Sequence, residues 1–493
     1  MKKLLSLILT LALVLGLCAC SSSGNTETTG ETEETTLATE PTGKIMEGLQ
    51  AGFSRKSIMP KQLGVQIAGG DASARLSDGA LDEVATTCVA IAQDSDIYLI
   101  FTMDFMVLNK GCVEAIKPVI AEATGVPEER ILLNCTHTHS GVNILSLSWD
   151  GAEAYRNQVA KASAKAAEAA IEDLSPVEIE IGSTATEGIA FVRHYRMNDG
   201  STYGNGHGST AAGYKSHMYE AANEVQVIKF TRAAEDKKDI ILMSFPAHAT
   251  TINGVDANKV SACYPGQTRM YIEENADVHC AFFQGASGDQ VPDSKINGLS
   301  AAKKDYKKYG QILGDYVLGL TYEPVSGDQV VMQSWQYTGN SMKEGVDNAE
   351  LMKAAKEVKS ASSKYGSSSN EAKAAYTKHG FTSVYEATGL VDRENAPDTR
   401  TVTLNVIQIG EEVSMVFVPF EMFGMHGELI KEKSPFKMDM IVTCSEIYNG
   451  YLPHIEGCDE GFYEYDVTKF ERGTGEKLVE EYANVLTMLK NAG

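Results

Sequence analysis

Residues 96–141 constrain the fold most, because their apolar pattern changes period twice and then ends in histidines. Asp96-Ile97-Tyr98-Leu99-Ile100-Phe101-Thr102 is an apolar, branched and aromatic run that reads as a strand. Residues 113–122 read as a helix, and Gly125-Val126-Pro127-Glu128-Glu129 turns the chain into a second apolar run, Ile131-Leu132-Leu133. Strand, helix and strand in that order form a βαβ unit with parallel strands, whose working ends are C-terminal. The second strand leads into Asn134-Cys135-Thr136-His137-Thr138-His139-Ser140-Gly141. Side chains alternate along a strand, so His137 and His139 are expected on one face. Two neutral nitrogen donors aimed at one point suit a metal ion or a water-activating base.

The remaining pattern extends this unit into an α/β domain over residues 46–493, with mixed, partly parallel sheets flanked by helices. Residues 152–174 are rich in Ala, Lys and Glu and read as a helix. Val177-Glu178-Ile179-Glu180-Ile181 alternates strictly and reads as a half-exposed strand. Further strands are expected at 224–230, 240–245, 280–284, 401–409 and 414–418, and a closing helix at 476–489. A polar helical insertion is expected at about 345–390, broken at Gly366-Ser367-Ser368-Ser369. It reads as a solvated hairpin or as a lid.

Residues 1–19 read as a targeting segment. Lys2 and Lys3 precede an apolar run that ends at Leu17-Cys18-Ala19-Cys20. The arrangement resembles a bacterial lipoprotein signal, which implies acylation of Cys20 and a lipoprotein on the extracytoplasmic face of the cell membrane. A plain secretory signal or an uncleaved anchor would have a similar layout. Residues 20–45 are mostly Ser, Thr, Glu and Gly, and cannot bury enough apolar surface to offset ordering, so they read as a disordered tether.

The formal charge of −23 excludes a basic nucleic-acid face and makes acidic polymers poor partners. Seven cysteines follow residue 20 with no CxxC pair, which argues against a cysteine zinc site. An odd count leaves at least one thiol free.

Other strand ends carry candidate groups. His248 follows an apolar strand in Ser244-Phe245-Pro246-Ala247-His248. A histidine there serves either structure or a metal that gathers ligands from several strand ends. Glu421 is the only charge in Val416-Phe417-Val418-Pro419-Phe420-Glu421, and stands at a site mouth or caps the next helix. Phe283-Gln284-Gly285-Ala286-Ser287-Gly288-Asp289 runs from a strand into a small-residue loop. Its amides can converge on a carbonyl oxygen, or the loop is simply a tight turn. Arg193 and Arg196 are candidates for holding a polar or anionic substrate group. Tyr448 and Tyr451 lie in one turn.

Taken together, these blocks resemble the neutral/alkaline non-lysosomal ceramidases and their bacterial relatives. The resemblance runs through Ala51-Gly52, Ile58-Met59-Pro60, Leu81-Asp82-Glu83-Val84 and Met103-Asp104. It is densest at Thr136-His137-Thr138-His139-Ser140-Gly141. It returns at Arg193, His248, Gly288-Asp289, Val418-Pro419-Phe420-Glu421 and residues 448–451, and covers little of residues 300–400. It implies a zinc ion held by His137, His248, Glu421 and Tyr451, with Tyr448 as the alternative tyrosine. It also implies His139 beside the metal as base or orienting group, Arg193 facing substrate, and Gly288 and Asp289 in the reacting loop. Val291 stands where the family has a serine close to the metal, and the chain ends before the family's C-terminal immunoglobulin-like domain.

The function implied is a membrane-tethered, zinc-dependent hydrolase of an amide, N-acyl and ceramide-like, or of an ester. Its partners would be that small-molecule or lipid substrate and, through Cys20, the membrane, with no nucleic acid. The lost serine also admits a non-catalytic surface lipoprotein that binds a ligand on the same fold.

Overall fold

The computed structural model describes residues 48–69, 75–204, 213–252, 256–292 and 305–492. Residues 1–47, which contain the expected signal, Cys20 and the whole of the expected tether, lie outside the described residues.

Eight strands follow one another across the larger sheet: β1 (Leu49–Ser57), β2 (Ala85–Gln93), β3 (Asp96–Met103), β4 (Ile131–Cys135), β5 (Ser175–Ala185), β6 (Glu224–Arg232), β7 (Asp239–Phe245) and β8 (Val278–Gln284). Their spatial order is β8-β7-β6-β5-β1-β2-β3-β4. The two outer pairs, β3 with β4 and β7 with β8, are parallel, and the neighbours between them are antiparallel. α1 (Lys110–Thr124) joins β3 to β4, as the sequence pattern requires, with Asn109 accepting from the Cys112 amide at its N-terminus. α3 (Cys263–Asn275) joins β7 to β8 in the same way.

A second sheet has the order β9 (Val330–Asn340), β10 (Thr399–Ile409), β11 (Val413–Phe417) and β12 (Met438–Val442), with β11 and β12 parallel. The two sheets pack face to face. One apolar cluster joins Phe53, Ile91, Ile228 and Phe283 of the first to Ile407, Met415, Phe417 and Met440 of the second. Strands buried on both faces need continuous apolar runs, which explains Ile-Leu-Leu in β4 and Ile-Ile-Leu-Met in β7.

Helices cover the outer faces. α1 and α2 (Ala152–Glu172) lie over the β1–β4 half. α3 and α4 (Tyr306–Leu318) lie over the other half. α8 (Gly424–Lys433) and α11 (Thr474–Ala492) cover the second sheet. The expected insertion is three helices, α5 (Ala349–Tyr365), α6 (Asn370–Lys378) and α7 (Val384–Glu394), with its own small core around Met352, Val358 and Leu390. Two short helices, α9 (Ile455–Asp459) and α10 (Tyr463–Asp466), precede α11.

The three parallel pairs deliver their C-terminal ends to one place. The Cys135 amide donates to Cys444 O at 3.3 Å, Glu446 N to Leu133 O at 2.8 Å, and Thr443 N to Gln284 O at 2.8 Å. The edges of both sheets are thus sewn together where the histidine motif begins. Among the described residues no helix is long and apolar enough to cross a membrane. All seven described cysteines are buried.

Candidate metal centre

The histidine loop is held from both sides by buried polar groups. Asp104, fully buried at the end of β3, accepts both Nη atoms of Arg269 at 2.8 Å, the Ala85 amide at 2.8 Å and Thr136 Oγ1 at 3.1 Å. Thr138 Oγ1 donates to Ser261 O at 2.9 Å. Thr136 and Thr138 therefore fix the loop to opposite walls, and the histidines between and after them face the space left free.

Strand alternation is not what brings the histidines together. β4 ends at Cys135, and His137 adopts a left-handed backbone with φ of 61°. An L-residue there costs about 1 kcal/mol, which the surrounding hydrogen bonds over-determine. The strained turn brings the His137 and His139 Nε2 atoms to 3.3 Å, with ring centroids 4.8 Å apart.

His248 arrives from the end of β7. Its Nδ1 donates to Ser287 O at 2.7 Å, and its ring lies 4.7 Å from that of His137. His137 Nδ1 likewise donates to Met106 O at 2.9 Å, with Cys444 Sγ at 3.4 Å. A carbonyl only accepts, so each ring carries its proton on Nδ1 and turns a bare Nε2 inward, the orientation that metal-binding imidazoles take from their outer partners. The coordinating atoms of His137, His139 and His248 all lie within 4.8 Å of one another.

Glu421 completes the group. It pairs with Tyr451 in a short parallel bridge, Glu421–Met422 against Tyr451–Leu452. Its buried Oε2 lies at ion-pair distance from both imidazoles, 3.2 Å from His137 Nε2 and 3.0 Å from His248 Nε2. Its Oε1 accepts from Tyr448 OH at 2.6 Å. Tyr451 OH lies 3.4 Å from His248 Nε2 and accepts from Arg193 Nη2 at 3.3 Å. A buried carboxylate oxygen converging with imidazole nitrogens is a donor set that a divalent cation such as zinc fits.

The electrostatics agree with that fit. Burial lowers His137, but the Cys444 thiol and the Glu421 carboxylate outweigh it and hold the imidazole well above its usual range. Burial raises Glu421, but His137 and His248 hold it well below the carboxylate range. The pocket on its own stabilises one positive charge against Glu421. His139, by contrast, is pushed well below the histidine range by burial and by its His137 and His248 neighbours. It is a neutral base at pH 7.

Arg193 stands beside this group through a two-residue bridge, Phe191–Val192 against Gln290–Val291. Its guanidinium is fully engaged: Nε donates to Glu464 Oε1 at 2.7 Å, Nη2 to Gly288 O at 2.8 Å, and Nη1 lies 3.4 Å from His248 Nε2. Burial opposes its charge, but Glu464 and Tyr451 raise it above the ordinary arginine value.

The reacting-loop expectation is corrected at two positions. The Gly288 amide donates to Met422 O at 2.8 Å, so its carbonyl rather than its N–H serves the site. A Cβ at Gly288 would lie 2.5 Å from Glu421 O, so glycine is needed for this approach. Asp289 Oδ1 accepts from the Gly424 amide at 2.8 Å, at the start of α8, and its Oδ2 accepts from Tyr219 OH at 2.7 Å, so both carboxylate oxygens are occupied. Val291 is half-buried opposite Phe191 and offers no hydroxyl. Arg196 is exposed on a separate small sheet and stands outside the group.

Sequence reasoning missed Glu464, Cys444 and the Asp104–Arg269 pair. Glu464 sits in Gly461-Phe462-Tyr463-Glu464-Tyr465-Asp466, where no period separates a buried acid from an exposed one.

This arrangement, two packed mixed sheets with the site at joined parallel strand ends, is the fold of the neutral ceramidases. The crystal structure of neutral ceramidase from Pseudomonas aeruginosa aligns with a TM-score of 0.66 and 14% identity, over 91% of this chain and 75% of that one. A structure described as ceramidase complexed with C2 aligns with a TM-score of 0.66 and 15% identity, over 91% and 76%. No protein-family model matches the chain, and no curated protein matches it in sequence.

Proposed function

We propose that the chain is a zinc-dependent hydrolase of amide bonds, with an N-acyl amide of the ceramide kind as the leading substrate class. The buried Glu421 Oε2, 3.0–3.2 Å from two imidazole Nε2 atoms beside a third histidine, carries the reading. His137, His248, Glu421 and Tyr451 would hold the ion. Zinc bound there would supply Lewis acidity toward a carbonyl and toward water.

The chain's own residues supply the rest. His139, neutral and 3.3 Å from His137, accepts the proton of the attacking water and returns it to the leaving nitrogen. Arg193 brings a fixed positive charge to the side of the site where a tetrahedral oxyanion develops, in place of the Gly288 amide. Its charge is already balanced by Glu464, so it orients a carbonyl oxygen rather than capturing a free carboxylate. The likeness to ceramidase structures supports an N-acyl substrate. In the same reading the enzyme works on the extracytoplasmic face, tethered through Cys20, supported by the Lys-apolar-Cys layout of residues 1–20.

The test is metal content of the soluble form from about residue 44, purified without added metal. About one zinc per chain is expected, lost in His137→Ala and His248→Ala while circular dichroism is unchanged. Hydrolysis of N-acyl amides by the loaded protein, abolished in the same variants, completes it. A folded protein that neither contains nor takes up zinc refutes the reading. Val291 favours the second reading, a ligand-binding module, which a zinc-loaded protein inert toward amides and esters would establish. Radiolabelled fatty acid incorporation, lost in Cys20→Ala, tests the tether.

A further inference from the structure

We infer that Glu464 is the positioning residue that aims Arg193, and that the three-helix insertion α5–α7 sets Glu464 in place from outside the site. The inference rests on the hydrolase reading above for its kinetic consequence, though not for its geometry.

α10 is one turn of four residues that faces two ways. Inward, the fully buried Glu464 receives Arg193 Nε at 2.7 Å and Nη2 at 2.6 Å on one oxygen, and His194 Nε2 at 2.9 Å on the other. Phe462 stacks on His194 with ring centroids 3.9 Å apart, closing the ion pair from water. Arg193 and His194 hold Glu464 down to about 2, although burial alone would raise it. A planar guanidinium held along one edge by a carboxylate has its other edge fixed in direction. That other edge meets Gly288 O, Tyr451 OH and His248.

Outward, the same turn lies against α7 of the insertion. A Cβ added to Gly389 would sit 2.1 Å from Asp466 O, so helix and turn touch backbone to backbone. Arg393 Nη2 donates to Tyr465 O at 3.1 Å and to Asp466 O at 3.3 Å. Tyr385 packs edge-on against Tyr463 at 5.0 Å, and Tyr463 against Tyr451 at 5.7 Å. A four-residue helix has no stability of its own. Its position is set by what it packs on, which here is the Arg193–His194 pair on one side and α7 on the other. The insertion is therefore a fixed buttress of the site and not a lid.

The test compares Glu464→Gln, Gly389→Ala and Arg393→Ala in the zinc-loaded protein. Glu464→Gln is expected to keep zinc and KM within about twofold while kcat falls about 100-fold, the scale of a misplaced catalytic group. Gly389→Ala and Arg393→Ala touch no site residue and should reproduce that split at about tenfold and threefold, with zinc retained. Independently of turnover, the Arg193 Nε–H resonance, assigned by its loss in Arg193→Lys, should be strongly protected from exchange in the wild type. It should exchange faster in Glu464→Gln and in both insertion variants. Unchanged protection in Gly389→Ala and Arg393→Ala overturns the buttress, and unchanged protection in Glu464→Gln overturns the positioning role. Where Glu464→Gln does not fold, the insertion variants decide. A wild type with no hydrolytic activity refutes the proposed function, and the exchange measurement still decides this inference.

Discussion

The two halves of the candidate metal centre are built by different means. The histidine half, residues 135–141, is a strand end whose Thr136 ties to the buried Asp104–Arg269 pair, whose Thr138 ties to Ser261 O, and whose strain is local to His137. The carboxylate half, Glu421 with residues 443–466, is a series of turns and very short elements. Glu421 is fixed by Tyr448, Tyr451 by its two-residue bridge and by Arg193, and Arg193 by Glu464 on a single helical turn. One half is pinned by a buried ion pair and two threonines, and the other by packing of short segments on one another. Damage to the first should cost folding, and damage to the second should cost chemistry.

The largest expected effect tests the first half. Arg269→Ala leaves Asp104 buried and without its cation, which should cost about 3–5 kcal/mol of stability. Denaturant unfolding of the metal-free protein measures it. A loss under about 1 kcal/mol would show that the histidine loop is held by something other than this pair, and the comparison would fail.

The same contrast explains what the sequence made legible. Ile131-Leu132-Leu133 before Thr-His-Thr-His is a local pattern, and the βαβ unit around it follows from period and turn chemistry alone. The strands at 224–232, 239–245 and 399–409 were legible for the same reason. The carboxylate half was legible only through resemblance, because Glu421 stands alone after an apolar run and Glu464 lies among aromatics that show no period. Whether an acid is buried against an arginine more than 250 positions away depends on sheet packing, which no local pattern encodes. Alternation along β4 gave the right pair of histidines for the wrong reason, since the strand stops two residues short of His137. Gly288 was placed correctly at the site but with the wrong face inward, because a loop's hydrogen-bond directions depend on its neighbour, here Met422.

A pH experiment probes the outer support of the second half. Asp466 is 6% exposed, and burial together with the nearby Glu386 raises it to about 8. Between about pH 4 and pH 8 the folded chain therefore keeps this proton while the unfolded chain releases it. Stability falls with rising pH across that window, at up to about 1.4 kcal/mol per unit, and is level above it. Asp466→Asn removes the slope. The variant should match the wild type near pH 4 and exceed it by about 2–4 kcal/mol at pH 9 in denaturant midpoints. A wild-type curve without that slope would mean that the turn opens to water and is not clamped by α7.

The smallest expected effect separates the two tyrosines. Tyr448 OH donates to Glu421 Oε1 at 2.6 Å and so is already committed, as an outer partner that orients a ligand. Tyr451 OH accepts from Arg193 Nη2 and lies 3.4 Å from His248 Nε2, on the side of the centre itself. Tyr448→Phe should weaken zinc binding about 10–100-fold, the usual cost of losing an outer partner, without changing the stoichiometry. Tyr451→Phe removes the proposed tyrosine ligand and is expected to weaken it further. Competition with a chelator of known affinity ranks the two variants. Should Tyr448→Phe prove the more damaging, the ligand and its support exchange places. Glu421 would then be aimed by the Tyr451 bridge, and the carboxylate half would be pinned by backbone pairing as firmly as the histidine half is by its threonines.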